Sequence, residues 1–268
     1  MRTTTTVFST SALTLAAAFA GPAHAADAEA LAKASQNPVA NLISVPFENN
    51  ANFNAGPDDK VLNVLNVKPV IPVKLGDEWT LINRAIIPVI SQPGVSGTRD
   101  NDRKNGLGDI TYQGFFTPTK PGKVIWGIGP QIQLPTHTDS RLGNNRWAAG
   151  PAAVVLTTPG HWVVGGLLSQ VWDITDSGNE DISQLTAQPF INYNFSEGWY
   201  VSIAPVITAD WEADGEQWTV PIGGGFGRVM KLGKQHVNLK AAVYGNVIKP
   251  DNGADYNVQL SMTLLFPK

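Results

Sequence analysis

The chain has 268 residues and a formal net charge of −3, which excludes the strongly basic surface typical of nucleic-acid-binding proteins. It contains no cysteine, so disulfide scaffolds and cysteine-based metal sites or nucleophiles are excluded as well. Charged residues make up 15% of the chain, against about 25% in ordinary soluble domains, and eight residues are tryptophan. This composition favours a protein of the membrane or cell envelope.

The first 25 residues have the pattern of a secretory signal peptide. Arg2 precedes an apolar stretch at 12–20, and a small-x-small triplet at 23–25 predicts cleavage after Ala25. Because Arg2 is the only charged residue removed, the mature chain would carry a net charge of −4. Residues 26–41 are rich in alanine, and we expect them to form a periplasmic N-terminal segment with one short helical turn or a tether, which could enter a barrel from below.

From residue 42 to residue 268 the chain alternates apolar and polar residues with a period of two and shows no helical period. The last segment is the clearest, because Tyr256, Leu260 and Phe266 fall on one face and Asn257 and Gln259 on the other. The alternation and the turn signals predict strands near 42–53, 61–73, 79–91, 109–118, 124–134, 147–157, 161–173, 182–194, 199–210, 217–230, 235–247 and 255–266.

The lengths of these segments and of their connections predict the fold class. No apolar run after the signal reaches the roughly 20 residues of a membrane-spanning helix, whereas strands of about 9–11 residues cross a bilayer. Short connections such as 74–78 and 231–234 alternate with longer polar ones such as 92–108 and 135–146. We therefore predict an all-β protein, a transmembrane antiparallel up-and-down β-barrel of about 12 strands with both termini periplasmic.

The tryptophans support this prediction, because each lies at the end of a predicted strand. Aromatic residues form a girdle at each membrane interface of such barrels. The predicted girdles contain four residues beside short turns (Trp79, Trp126, Trp162 and Trp199) and four beside long loops (Trp147, Trp172, Trp211 and Trp218).

Prolines inside the predicted strands argue against continuous hydrogen bonding, because proline cannot donate to a strand ladder and a closed barrel has no edge strand. We expect them at bulges or at points where a strand leaves the ladder. The residues concerned are Pro69, Pro72, Pro88, Pro130, Pro151, Pro189, Pro205 and Pro221.

Several stretches together resemble a known family. They are SQNPVANLISVPFENN (35–50), NVLNVKPVIPVKL (63–75), INRAIIPVI (82–90), GLGDI (106–110) and LGNNRWAAGP (142–151). These stretches resemble a widespread group of Proteobacterial outer-membrane transporters of the phenol-degradation MetA-like type, which are sometimes mislabelled neuromedin U. The resemblance implies an outer-membrane barrel with a part in the uptake of aromatic or other hydrophobic compounds, and it carries no established site residues.

If the apolar residues of each strand face lipid, the opposite face lines a lumen rich in amides and hydroxyls. With aromatic residues such as Phe115, Phe190 and Tyr244, such a lumen suits a small neutral or aromatic solute, although the amides could instead bond to one another and close the bore. The candidate lumen-lining residues are Asn66, Lys68, Gln113, Gln131, Gln133, Gln184, Gln188, Asn192, Asn238, Lys240, Tyr244, Asn257 and Gln259.

Catalytic and metal-binding alternatives have weaker support. His137 lies near Asp139 and Ser140, but neighbours within one loop rarely form a triad, and no GxSxG elbow occurs. The stretch 210–215 copies the start of a calcium loop, but Pro221 stands where a bidentate glutamate is needed. We therefore expect no catalytic residues, no metal site and no cofactor.

The sequence thus predicts an outer-membrane channel or transporter for a small neutral, aromatic or hydrophobic molecule, and no enzyme. Two alternatives stay open at this point: a structural or adhesive outer-membrane barrel that acts through its outer loops, and a soluble envelope β-protein. The expected partners are outer-membrane lipids and lipopolysaccharide, the barrel assembly machinery and the solute.

Overall fold

The computed structural model describes residues 22–175 and 181–267, with side chains from residue 28 onward. One α-helix, α1 (Pro22–Gln36), precedes the strands. Within these ranges the strands are β1 (Ile43–Ala55), β2 (Lys60–Val67), β3 (Val70–Leu75), β4 (Trp79–Gln92), β5 (Lys104–Leu107), β6 (Ile110–Pro118), β7 (Val124–Leu134), β8 (Ala148–Thr157), β9 (Trp162–Asp173), β10 (Ser183–Asn194), β11 (Trp199–Ile203), β12 (Ile207–Asp210), β13 (Trp218–Leu232), β14 (Gln235–Ile248) and β15 (Tyr256–Phe266). No helix in this part of the chain is long and apolar enough to cross a membrane.

The strands form one closed antiparallel barrel. Each strand pairs with its neighbours in sequence, and β15 pairs with β1, from Ile43 opposite Phe266 to Phe53 opposite Tyr256. Three wall strands consist of two pieces each (β2 with β3, β5 with β6, and β11 with β12), so the wall has twelve strands. The predicted fold class and strand number are confirmed.

The prolines explain where the wall strands are interrupted. Pro69 separates β2 from β3, and Pro205 separates β11 from β12, because proline supplies no N–H for the ladder. Pro221 stands at a register shift between β13 and β14. Pro130 of β7 and Pro151 of β8 lie opposite each other. The ladder between β6 and β7 skips Pro130, and the ladder between β8 and β9 skips Pro151. These five prolines thus occupy interruptions of the ladder, whereas Pro72, Pro88 and Pro189 stand within continuous registers.

The interrupted ladder between β6 and β7 also brings two backbones unusually close. A Cβ atom added at Gly129 would lie 1.7 Å from the carbonyl oxygen of Gly114. Only glycine therefore fits at position 129.

The two ends of the barrel differ. Short connections, among them residues 76–78 and 233–234, lie at one end together with the start of β1 and the end of β15, and we call this the turn end. The longer connections, among them residues 93–103 and 135–147, lie at the other end, which we call the loop end. The prediction that the turn end faces the periplasm stays a prediction.

The N-terminal segment, residues 28–42, contains more helix than expected, because α1 extends over 15 residues instead of one turn. The helix begins at Pro22, before the predicted cleavage site, and residues 1–21 of the predicted signal peptide lie outside the described residues. Ala32 is completely buried and packs with Leu42, Val229 and Leu265. The segment therefore rests on β13 and β15 at the turn end.

The outer surface of the barrel is apolar around its circumference. Large exposed apolar side chains occur on nearly every wall strand, for example Ile71, Phe116, Ile128, Val155, Leu168, Ile191, Ile203, Ile222, Phe226, Val243 and Leu260. A water-facing barrel would leave this area solvated at a large cost, whereas a bilayer covers it.

Candidate functional site: the barrel interior

Strand register identifies the inner face. Lys240, Ser261, Glu48 and Asn66 lie opposite one another on four successive wall strands, so their side chains point to the same side. Gln259 and Thr263, two residues to either side of Ser261, are buried, whereas Leu260 is 56% exposed. Polar residues of β15 therefore point inward and its apolar residues point outward, except Leu265 near the turn end, which points inward.

The register and the burial pattern place all thirteen candidate lumen residues on this inner face. Gln113, Gln131, Asn192, Asn238, Tyr244 and Gln259 are buried, and Asn66, Lys68, Gln133, Gln188, Lys240 and Asn257 are half-buried. Gln184 also points inward, opposite Val171, but it is exposed because it lies near the loop end. Whether these residues contact a solute is part of the proposals below.

Several inward-facing amides bond to one another, which was the alternative considered for them. Gln113 donates to Gln131 at 2.6 Å, Asn257 to Asn52 at 3.0 Å and Gln259 to Asn50 at 3.1 Å. Tyr200 donates to Asn238 at 2.8 Å. The three amide pairs tie neighbouring strands together, and the Tyr200–Asn238 bond reaches across β13, so these side chains brace the inner face.

The polar side chains cover only part of the interior. The polar inner face comprises side chains of β1, β2, β14 and β15 and the flanking residue Lys68: Glu48, Asn50, Asn66, Lys68, Asn238, Lys240, Gln259 and Ser261. The apolar inner face comprises one cluster from β4 and from β6 to β10: Ile82, Phe115, Ala152, Val154, Leu156, Val163, Leu167 and Phe190. The sequence prediction of an amide-rich lumen included Phe115 and Phe190 and missed the aliphatic rest of this apolar half.

Sequence reasoning also missed two charged residues of the interior, Glu48 and Arg84. Glu48 accepts an ion-pair contact from Lys68 at 2.5 Å. Arg84 lies opposite Gln113, and its guanidinium carbon is 5.9 Å from the centre of the Phe115 ring. The alternation of β1 could have revealed Glu48, because it occupies the same face as the polar residues of β15.

A cavity of about 200 Å³ lies between these two faces. Its walls include Glu48, Lys68, Arg84 and Lys240 from the charged side and Phe190 from the apolar side. For comparison, a dry cavity of about 150 Å³ accommodates benzene. The interior therefore contains space for a molecule the size of one substituted aromatic ring.

The N-terminal segment forms the floor of this cavity at the turn end. Val39 packs inside the apolar cluster beside Phe115, and residues 34–38 line the cavity. Gln36 and Asn194 exchange two hydrogen bonds of 2.8 and 3.1 Å, and Asn238 donates to Ser35. Hydrogen bonds and the apolar contact of Val39 thus hold the segment across the bore.

The tryptophans lie in two rows on the outside of the barrel. Trp79, Trp126, Trp162 and Trp199 at the turn end are 40–44% exposed, and Trp147, Trp172 and Trp211 at the loop end are 39–49% exposed. Trp218 is half-buried because it packs edge-on against Trp211. The guanidinium of Arg228 stacks on Trp199, 4.9 Å from its ring centre. The apolar belt is thus bordered by aromatic residues at both ends.

The histidine at the loop end, His137, has a structural role. Nδ1 of His137 lies 2.7 Å from the carboxylate of Asp109, which also accepts hydrogen bonds from the backbone N–H groups of Thr136, His137 and Asn144. Asp139 pairs instead with Lys104 and Arg141. The carboxylate of Asp109 is therefore a brace between two loops. Among the described residues no group of three or more His, Asp or Glu side chains is arranged to hold a metal ion.

A closed antiparallel barrel with an apolar outer belt, an aromatic row at each border and a partly polar interior is a transmembrane barrel of the bacterial outer-membrane class. Residues 58–234 match the family described as "Putative MetA-pathway of phenol degradation", and the chain belongs to this family.

The sequence folds like one solved structure and is similar to others. An outer membrane channel from Pseudomonas putida F1 is 17% identical, with a TM-score of 0.59 over 84% of this chain and 94% of that one. A FadL homologue from Pseudomonas aeruginosa is 10% identical, with a TM-score of 0.44 over 87% of this chain and 91% of that one. No curated protein matches the sequence.

Proposed function

We propose that the protein is an outer-membrane channel that passes a small, mainly apolar molecule through the barrel interior. The observation that carries this proposal is the cavity between the polar and apolar inner faces. A barrel that served only as a structural element or as a carrier of outer loops would gain stability from a filled interior, because closely packed side chains stabilise a fold more than a void does.

The N-terminal segment provides the barrier that such a channel needs. Because Val39 fills the bore beside Phe115, a solute can leave at the turn end only if the segment shifts. The segment is held by the Gln36–Asn194 pair, the Asn238–Ser35 bond, the Glu29–His161 pair and the apolar contacts of Ala32 and Val39. Local opening of a segment held this way costs much less than unfolding of the barrel.

The proposal includes the location and partners of the protein. The apolar belt and the tryptophan rows fit contact with the lipids and lipopolysaccharide of the outer membrane, with the turn end in the periplasm. Phe266, at the end of the last strand, fits an end signal for the barrel assembly machinery. The notion of a soluble envelope protein has no support in this surface.

Planar-bilayer conductance of the purified protein tests the channel. We expect small conductance steps for the wild type and clearly larger ones for a variant that lacks residues 28–41, because the floor of the cavity is then removed. A matched control is Leu42→Ala, which trims the edge of the floor and leaves Val39 in place. Absence of conductance in both the wild type and the deletion variant, with both folded, would refute the channel and favour a structural or adhesive barrel.

A further inference from the structure

The charges that line the cavity do not balance. Three cationic side chains, Lys68, Arg84 and Lys240, face it together with one carboxylate, that of Glu48. Glu48 forms its ion pair with Lys68. Among the described residues neither Arg84 nor Lys240 has a carboxylate within ion-pair distance. Two of the three cations, Arg84 and Lys240, therefore have no carboxylate partner, and the cavity wall carries a net positive charge.

Arg84 is the cation whose surroundings are least satisfied. Its Nη1 atom is buried and has no hydrogen-bond partner in the protein. Gln113, its neighbour in the ladder, bonds to Gln131 instead, and the side-chain oxygen of Gln113 is also buried without a partner. A buried guanidinium N–H without an acceptor is costly, so an unused donor of this kind in a cavity indicates a place for an acceptor.

The group beneath the guanidinium is apolar. Arg84 lies over the ring of Phe115, which belongs to the apolar inner face with Ile82 and Phe190. Of these residues Phe190 reaches the cavity, so a ligand that contacts Arg84 with an anionic group would place its apolar part against Phe190. A cation beside an apolar surface is suited to a molecule that has one charged end and one apolar end.

We propose that the cavity binds a small aromatic carboxylate, with its carboxylate on Arg84 and Lys240 and its ring against Phe190. The proposal rests on the proposed channel function, since it names the class of solute for the same interior. The planar guanidinium presents paired N–H donors that match the two oxygens of a carboxylate. The volume of about 200 Å³ admits one substituted ring. The solute expected from the sequence was neutral, and the interior charge changes that expectation to a monoanion.

Calorimetric titration of the full barrel in detergent with benzoate and benzamide tests the proposal, because the two probes have nearly the same shape and differ in charge. We expect the wild type to bind benzoate at least about tenfold more tightly than benzamide, a difference of about 1.4 kcal/mol. Arg84→Gln should abolish this preference, Arg84→Lys should retain part of it, and Lys120→Gln, at an exposed turn, should leave it unchanged.

Several results would overturn the carboxylate site. These are equal binding of benzoate and benzamide by the wild type, an unchanged preference in folded Arg84→Gln, or inorganic phosphate that binds as tightly as benzoate, since phosphate does not use the apolar wall. The wild-type comparison needs no variant, so it remains decisive even if Arg84→Gln does not fold. Conductance without any preference for benzoate rejects the site and leaves the channel standing. A clear preference without conductance supports the site and rejects the channel.

Discussion

The two halves of the barrel interior share one backbone architecture and differ in what their inner faces do. The apolar inner face is packed, with Ile82 and Phe115 completely buried. The polar inner face consists of amides braced in pairs, one ion pair and cations that face a cavity. The difference teaches that the two inner faces have different roles. The packed apolar face supplies stability, and the polar face borders the open space and carries the charge.

Removal of a large side chain from the apolar inner face should have the largest effect. Phe115→Ala is expected to lower the free energy of unfolding by about 3–5 kcal/mol, because it leaves a cavity in the cluster. Gln259→Ala, on the polar inner face, should cost only about 0.5–1.5 kcal/mol, the usual contribution of one hydrogen bond. Urea titration followed by the gel shift between folded and boiled protein measures both values. Equal losses would mean that the two halves contribute alike.

The next test compares the two faces of a single strand. Leu260→Arg should impair assembly, because a cation near the midplane of the lipid-facing surface costs about 2–4 kcal/mol. Gln259→Arg should assemble, because its side chain points into the interior, and it should shift ion selectivity toward anions. The folded fraction in outer membranes and the reversal potential report these effects. Normal assembly of Leu260→Arg would show that position 260 does not face lipid.

A smaller, electrical effect is expected from the only carboxylate of the cavity wall among the described residues. Glu48→Gln keeps the shape of the side chain and removes its charge, so the reversal potential in a salt gradient should move toward that of chloride. Glu78→Gln, at an exposed turn, makes the same change in charge outside the barrel interior and serves as the control. The same reversal potential in both variants would contradict a solute path beside Glu48.

The smallest effect concerns the rim of the loop end on the polar side. The backbone N–H of Ser96 and the Lys60 side chain lower the pKa of Asp58 from 3.8 to about 2. A depressed carboxyl pKa stabilises the contact at pH values above 3.8, and this stabilisation is lost as the pH falls toward 2. The amide proton shift of Ser96, followed by NMR in detergent, should therefore titrate with a midpoint near 2. A midpoint near 3.8, or the same titration in Asp58→Asn, would contradict the contact.

The sequence predicted those strands best in which one face is polar. In β15 the alternation of Gln259 and Leu260 shows directly which side chains point inward and which face lipid, because lipid requires apolar residues and the interior on this side requires polar ones. In β8 and β9 both faces are apolar, as in Val154 and Val155, so alternation carries no information about direction. The aliphatic part of the apolar inner face therefore could not be recognised from the sequence.

Two further features could not be predicted from the sequence for similar reasons. Arg84 lies in a strand that has isoleucine residues on both its inner and its outer face. Periodicity therefore could not show which way the Arg84 side chain points. The helix α1 has no strong apolar stripe, and its position depends on contacts of Ala32 with Val229 and Leu265, about 200 residues later in the chain.

The contact between Ala32 and Leu265 has a consequence for the order of assembly. The ring closes when β1 meets β15, the first and the last strand to be synthesised, so closure must await the complete chain. Because the resting place of α1 includes Leu265 of that last strand, the helix can settle only once the final strand is present. The nascent barrel therefore stays open at its floor throughout insertion. Docking of the helix is then the last step of folding. A chain truncated before residue 256 lacks both the β1–β15 pairing that closes the barrel and the Leu265 contact of its first helix.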